Sequence, residues 1–517
     1  MKLGKISYFF EIKKFFRILT FYFIFTSIGF STLNLPHLNA LLLTLPNEIW
    51  INIFKFIDIR GTQKDFYLCK VNKFFLFFYI DAVYQLNLKH PQMISLKHPK
   101  TLKELKKRQY KFKFQAHTPI LSSFKYTAFK LEHNDFTDSD LELLIENFPN
   151  IKIIHFQRTE KISNLSVMIP CLKVLIIHNI QLPKNFYFAK NSQLETLMIY
   201  NSDLNNLPSL ENLKKLKYLG LNNCKNFNPN FSLHRIPHLK SFLLSGCESD
   251  PLPSLFSFAD NNQLEELEIS SYKRNPFPNL NSLKNLKKLE FARCSSFNDF
   301  KCFNTMSQLE FFFIERTPFP SEPNFISSLV HLKSLQILGT NIKKMPSLDA
   351  LKNLKHLLIM ECKELNDFSF LSPESLIESL TIKAPNFFQL SHLIHLRNLK
   401  NLELIACQGI SNLLILEKEN FKDLVYLSID FCQNIKSLSS VGHLKKLEKF
   451  SVKGSDLESF DFLKELKKMK ILYFFLCKNL KNLSFLNDLE KIQKITLHYC
   501  LNADLSTTSK ASLIKIE

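Results

Sequence analysis

One spelling recurs through most of this chain. Residues 283–297 read LKNLKKLEFARCSSF, and residues 351–365 read LKNLKHLLIMECKEL. The apolar residues and the cysteine fall at the same offsets in both. The frame also fits 213–227, 396–410 and, with Met for one Leu, 466–480. Anchored on the second Leu of an Lxx-Lxx-L-x-L pattern, it occurs at 17 positions, from Tyr126 and Ile151 through Leu216, Leu286 and Leu354 to Met469 and Ile492. The spacing averages about 23 residues, a fixed period of the kind that marks a stacked repeat architecture. Positions three and five after the anchor are apolar in all 17 copies, from Phe129 and Leu131 to Ile495 and Leu497. With apolar residues at 45% of the chain, composition alone does not produce that agreement.

The spelling has a physical reading. Apolar residues at positions three and five have period two, so they share one face of a short strand. Position eight falls where the chain must turn out of the strand. It holds Cys in eight copies (Cys224, Cys247, Cys294, Cys362, Cys407, Cys432, Cys477, Cys500) and a small polar residue in six more. Ile180, Tyr272 and Pro385 depart from this and predict locally irregular turns. One copy cannot bury its own apolar face, but a stack of copies buries a continuous core. On these residues the chain resembles the leucine-rich-repeat proteins, whose period is 20–29 residues. The resemblance implies an α/β solenoid: a horseshoe of about 17 repeats over 126–517, with a parallel β-sheet on its concave side.

The repeat accounts for features that would otherwise suggest chemistry. The eight cysteines in register read as a buried packing ladder of small, weakly donating side chains rather than a disulfide framework. The other three are Cys69, Cys171 and Cys302. No CxxC pair occurs, and no His/Cys set has zinc spacing, so the sequence points to no metal and no cofactor. With nine glycines in 517 residues, no phosphate-cradling loop is present. No motif of hydrolase, kinase or metalloprotease type is present either. The expectation is a protein that is not an enzyme and takes no small-molecule substrate.

Two stretches precede the repeats. In residues 1–40, Lys2, Lys5, Lys13, Lys14 and Arg17 lead into an apolar run from Ile18 to Phe30, followed by small residues. That is the grammar of a secretory signal or anchor over 1–31, although Glu11 interrupts its basic start. Membrane contact is expected only if 1–40 acts as an anchor. Residues 41–90 lack the repeat. The stretch LPNEIWINIFKFI (45–57) reads as a helix with Pro in its first turn and Glu near its N-terminus. Its polar residues Glu48, Asn52 and Lys55 form one narrow stripe, so most of its surface must be covered. Two further short amphipathic segments follow. With DFYLCKVNKFF (65–75), this spelling resembles the F-box, a three-helix module found ahead of leucine-rich repeats. The resemblance implies docking to the adaptor protein of cullin–RING ubiquitin ligases through Leu45, Pro46, Ile49, Ile53 and Phe54. It also implies a cytoplasmic location and recruitment of a substrate protein by the repeats. The alternative is a secreted or surface-anchored repeat protein.

Residues 91–125 are a basic connector, with eight Lys and Arg between 97 and 113. The net charge of the chain is +20, but the strand positions do not carry it. At offsets four, six and seven, seven acidic residues (Glu132, Glu268, Glu290, Glu315, Glu361, Glu403, Asp430) face six basic ones (Lys130, Arg158, Arg293, Arg316, Lys383, Lys453). The position after the anchor is Lys in nine copies, which predicts a cationic stripe along one edge. A nucleic-acid partner is disfavoured, because tracking a phosphate backbone needs a positive groove. Recognition is instead expected where aromatic residues stand among polar ones on the concave face. The candidate substrate-binding residues are Tyr200, Phe313, Glu315, Arg316, Tyr473, Phe475 and Tyr499. A chain with 51 Phe also scatters aromatics by composition alone.

Overall fold

The computed structural model describes residues 94–96 and, with short interruptions in loops, 128–516. The chain divides into two units, Met1–Ile94 and Ser95–Glu517. The hydrophobic N-terminal segment, the F-box-like stretch with its five adaptor-binding candidates, and the connector apart from 94–96 lie outside the described residues.

Each of the 17 anchors is followed two residues later by a strand, from Ala128–Leu131 to Lys494–His498. Each strand pairs in parallel with the next one in sequence, position for position. A parallel neighbour can be reached only by a long connection, and here one repeat supplies it. Most of the strands bury alternate residues. In Lys288–Ala292, Leu289 and Phe291 are fully buried, while Lys288, Glu290 and Ala292 stand on the other face. A further strand, Ile514–Ile516, pairs with Ile495–Leu497 and covers the last edge. The repeat spelling does not announce it, since no Lxx-Lxx frame precedes it.

The return limbs are largely 3₁₀ turns, among them Ser439–His443, Asp461–Glu465 and Ser484–Asp488. One α-helix, Asp138–Asn147, is present among the described residues. The cause is the spacing of the buried residues. Leu480, Leu483, Leu486 and Leu489 recur every third residue and are all buried. Three residues per turn is the 3₁₀ period, whereas an α-helix of 3.6 residues per turn would rotate this row away from the core. Much of the phenylalanine lies in this core. The Phe303 and Phe325 rings stack at 4.2 Å, and Phe312 packs edge-on to Phe303 at 5.0 Å.

The turn after each strand has one conformation. The residue seven after the anchor takes positive φ in 15 of the 16 described copies, from Arg158 at 55° to Tyr499 at 53°. Twelve of these are not glycine. The turns at Ile180 and Tyr272 follow the common pattern, through Asn179 and Ser271. Only the Pro385 turn departs from it, because Ala384 is absent from the positive-φ set. The backbone amide at this position donates to the strand-end carbonyl of the following repeat, as Arg293 N does to Glu315 O at 2.7 Å and Phe431 N does to Lys453 O at 2.6 Å.

Candidate binding surface

The cysteine ladder belongs to the turn. Each thiol is aimed at backbone carbonyls: Cys294 Sγ lies 3.1 Å from Ile269 O of the previous repeat and 3.6 Å from Ala292 O of its own. Cys224, Cys247, Cys362, Cys407, Cys432 and Cys477 repeat this double contact. These thiols are free and buried, as is Cys302; Cys500, in the last repeat, is partly exposed. A hydrogen bond from Cys477 holds the Cys500 thiol down to about 7, while the same contact pushes Cys477 up. Only the thiolate is nucleophilic. Alkylation of the native chain by iodoacetamide is therefore expected at Cys500 before the ladder cysteines, with a rate that rises through a midpoint near pH 7. In Cys477→Ala the midpoint should climb toward the ordinary thiol value of about 8.5. Peptide mapping over a pH series reads both, and an unshifted midpoint would refute the contact.

The lysine stripe is not a bare cationic edge. Glutamates occupy the same position in intervening repeats, and eight of the nine lysines pair with them. Glu195 bridges Lys173 and Lys217, Glu265 bridges Lys240 and Lys287, and Glu378 bridges Lys355 and Lys400, at 2.6–3.1 Å. Lys333 pairs with Glu310 and Lys470 with Glu448. Lys355 and Lys400 hold the Glu378 carboxyl down to about 2. Exposed pairs of this kind contribute little stability, roughly 0–1 kcal/mol each. Their effect on recognition is larger, because the edge offers an anionic ligand alternating charges instead of a positive rail.

The candidate residues on the sheet fall in three separate places. Tyr200 sits with His178, whose ring is edge-on at 6.1 Å, and with Asn201, which reaches His178 Nε2 at 2.8 Å. Burial pushes the Tyr200 hydroxyl pKa up. Phe313, Glu315 and Arg316 lie five strands further on, about 24 Å at the usual strand spacing. There Arg293 meets Glu315 at 3.4 Å, and Arg316 meets Glu361 at 3.1 Å, two repeats away. That reach passes over Gly339, where a Cβ would come within 2.9 Å of Arg316 Cγ. Lys383 closes the row on Glu361 at 2.6 Å. Glu315 and Arg316 are thus matched within the chain, and a ligand there has to displace existing partners.

Phe475 and Tyr499 do come together, seven strands beyond Phe313, while Tyr473 stands two residues before Phe475 on the same strand face. Phe475 lies 5.9 Å from Tyr499 and 5.0 Å from His498. Phe431 adds a fourth ring, 6.3 Å from Phe475. It spans the intervening repeat because Gly454 stands there; a Cβ would come 2.4 Å from Phe431 Cδ1. Tyr499 is 54% exposed and Phe431 37%, so the cluster opens to solvent. Asp430, next to Phe431 in the chain and only 4% exposed, accepts from Lys453 Nζ at 2.7 Å and from Ser428 Oγ at 2.8 Å. Lys453 also lies over the Tyr473 ring at 5.9 Å. Burial raises the neighbouring Tyr426 hydroxyl to about 12. The sequence candidates omit Phe431 and this buried pair. Two signals were present: opposite charges at offset six of successive repeats, and a bulky residue at offset seven followed one repeat later by glycine.

Eighteen consecutive parallel strands, one per repeat with a final cap, define the class: the described chain is a leucine-rich-repeat solenoid. No family model matches the sequence, and no curated protein does. Among solved structures it is similar to an internalin, InlF, of Listeria monocytogenes: 16% identity over 62% of this chain and 86% of that one, TM-score 0.40. It is also similar to the functional domain of InlJ from the same organism, described as including a cysteine ladder: 17% identity, 71% and 73% coverage, TM-score 0.42. A leucine-rich-repeat protein of Leptospira interrogans gives 17% identity, 69% and 93% coverage, and TM-score 0.41. The class assignment rests on the repeat geometry itself.

Proposed function

We propose that this chain is a non-catalytic protein-binding subunit, whose sheet face holds a partner protein and whose 45–57 stretch docks a ubiquitin-ligase adaptor. The observation that carries the binding half is the solvent-facing cluster of Phe431, Phe475 and Tyr499 on a parallel sheet of fixed register. Aromatic side chains ringed by polar ones, on a backbone that need not reorganise, are what protein interfaces draw their affinity from. The docking half is carried by LPNEIWINIFKFI, through its resemblance to the F-box. In that reading the chain works in the cytoplasm by proximity, holding a substrate protein near the ligase and performing no chemistry. A pull-down with purified adaptor tests it. The wild-type chain should retain the adaptor, and Leu45→Ala/Pro46→Ala should lose it. If the wild type retains none, the docking half falls and the binding half stands.

The basic-then-apolar order of residues 2–30 favours a second reading, a secreted or surface-anchored binding protein. N-terminal sequencing of the mature protein separates the two: removal of residues 1 to about 31 selects the second.

A further inference from the structure

The sheet face changes character along its length. Between the strands Glu266–Ser270 and Asn401–Ile405 it carries Glu266, Glu268, Glu290, Glu315, Glu361 and Glu403. Their cationic neighbours Lys288, Arg293, Arg316 and Lys383 are engaged in ion pairs there. The strands Lys449–Lys453, Ile471–Phe475 and Lys494–His498 hold no carboxylate at all. They hold Lys449, Lys453 and Lys494. Lys453 is committed to Asp430. Lys449 and Lys494 are exposed and have no ion-pair partner among the described residues. They flank Ile471 in register, one strand to either side, so two uncommitted ammonium groups border the same sheet face as the rings. On that face Phe475, His498 and Tyr499 form an aromatic centre, extended by Phe431.

We infer that the last four repeats bind an acidic protein segment: an aromatic or large aliphatic side chain seated among Phe431, Phe475 and Tyr499, with carboxylates further along the segment paired to Lys449 and Lys494. This deepens the protein-binding half of the proposed function and rests on it, but not on adaptor docking. Complementary rim charges select the partner and speed encounter, while the buried anchor supplies affinity. A single-stranded nucleic acid would also stack on these rings. The geometry disfavours it, because a phosphate backbone leaving the cluster along the sheet meets the Glu403 carboxylate, and the lysine edge is neutralised.

The test uses the full chain and a displayed library of random peptides of about a dozen residues, with oligouridylate as the nucleic-acid probe. Selected peptides should carry an aromatic or aliphatic anchor flanked by Asp or Glu. Their affinity should fall about tenfold in Lys449→Glu/Lys494→Glu, a pair of exposed changes that leaves the core untouched. It should fall at least as far in Phe475→Ala/Tyr499→Ala, and it should hold in Phe313→Ala. Three results overturn the inference: basic or neutral selected peptides, affinity indifferent to the charge reversals, or oligouridylate binding the cluster and competing with the peptides. If selected peptides bind but depend on Phe313 or Arg316, this inference falls while the protein-binding reading stands. If no selected peptide depends on any sheet-face residue, both fall.

Discussion

Phe312→Ala should destabilise the solenoid by about 3–5 kcal/mol, as expected for emptying a fully buried phenylalanine site. Phe312 is 0% exposed and packs against Phe303, with Phe319 and Phe325 behind it. Those rings come from the return limbs on both sides, so the cavity cannot close by moving one side chain. The effect should be local. Each repeat touches only its neighbours, and stability is roughly a sum of repeat and interface terms. In hydrogen exchange, the amides of Lys288–Ala292, Phe311–Glu315 and Ser334–Leu338 should therefore lose protection before strands at the far ends. Phe313→Ala is the internal control. Phe313 is the next residue along but points to the half-exposed face, so its removal should cost less than about 1 kcal/mol. Equal losses at 312 and 313 would mean that the two faces have been assigned the wrong way round.

Asp430, the buried carboxylate beside Phe431, depends on Lys453 for its charge balance. Lys453→Met should cost about 3 kcal/mol, the low end of the range for breaking a buried ion pair, because the lysine side chain is 34% exposed. The loss comes from what is left behind: Asp430 keeps one hydroxyl donor, Ser428 Oγ, and no cation. Asp430→Asn/Lys453→Met should restore most of the stability, since an amide in that site carries no charge. Urea melts of the two single variants and the double variant close the cycle. If Lys453→Met costs no more than an exposed pair does, about 0–1 kcal/mol, Asp430 is hydrated in solution and the pair is ornamental.

Most of the fold was legible in the sequence because one contact type generates it. A strand residue that must be buried in one copy must be buried in every copy, so Leu289 and Leu472 report the same constraint. Period two placed the strands, and position eight placed the turn. The row of apolar residues at spacing three was equally visible at 480–489, and it specifies 3₁₀ turns where the family resemblance leads one to expect helices. What stayed hidden depends on relations between repeats. Counting lysines at one position missed Glu195, Glu265 and Glu378 standing at the same position one period away. Arg316 finds its partner two repeats on, a reach that exists only because residue 339 has no side chain. Phe431 and Phe475 meet for the same reason across Gly454. The Asp430–Lys453 pair needed column-wise reading of charge sign. The candidates Leu45, Pro46, Ile49, Ile53 and Phe54 lie outside the described residues.

The turn after each strand leans in two directions. Its amide donates to the following repeat, and its thiol, where one is present, reaches back to the preceding one. The positive-φ residue between them is therefore held by backbone bonds that ignore its side chain, which is why arginine, glutamate, leucine and phenylalanine all occupy it. For residues with a Cβ, such a conformation is disfavoured by roughly 1–2 kcal/mol and persists only where its surroundings impose it. Order in this column thus has a polarity. Removing repeats from the C-terminal end strips the last remaining turn of its acceptor, whereas removing them from the other end leaves every remaining acceptor in place. The side chains of the column can vary where no long neighbour crosses them, because the main chain has already decided where they point.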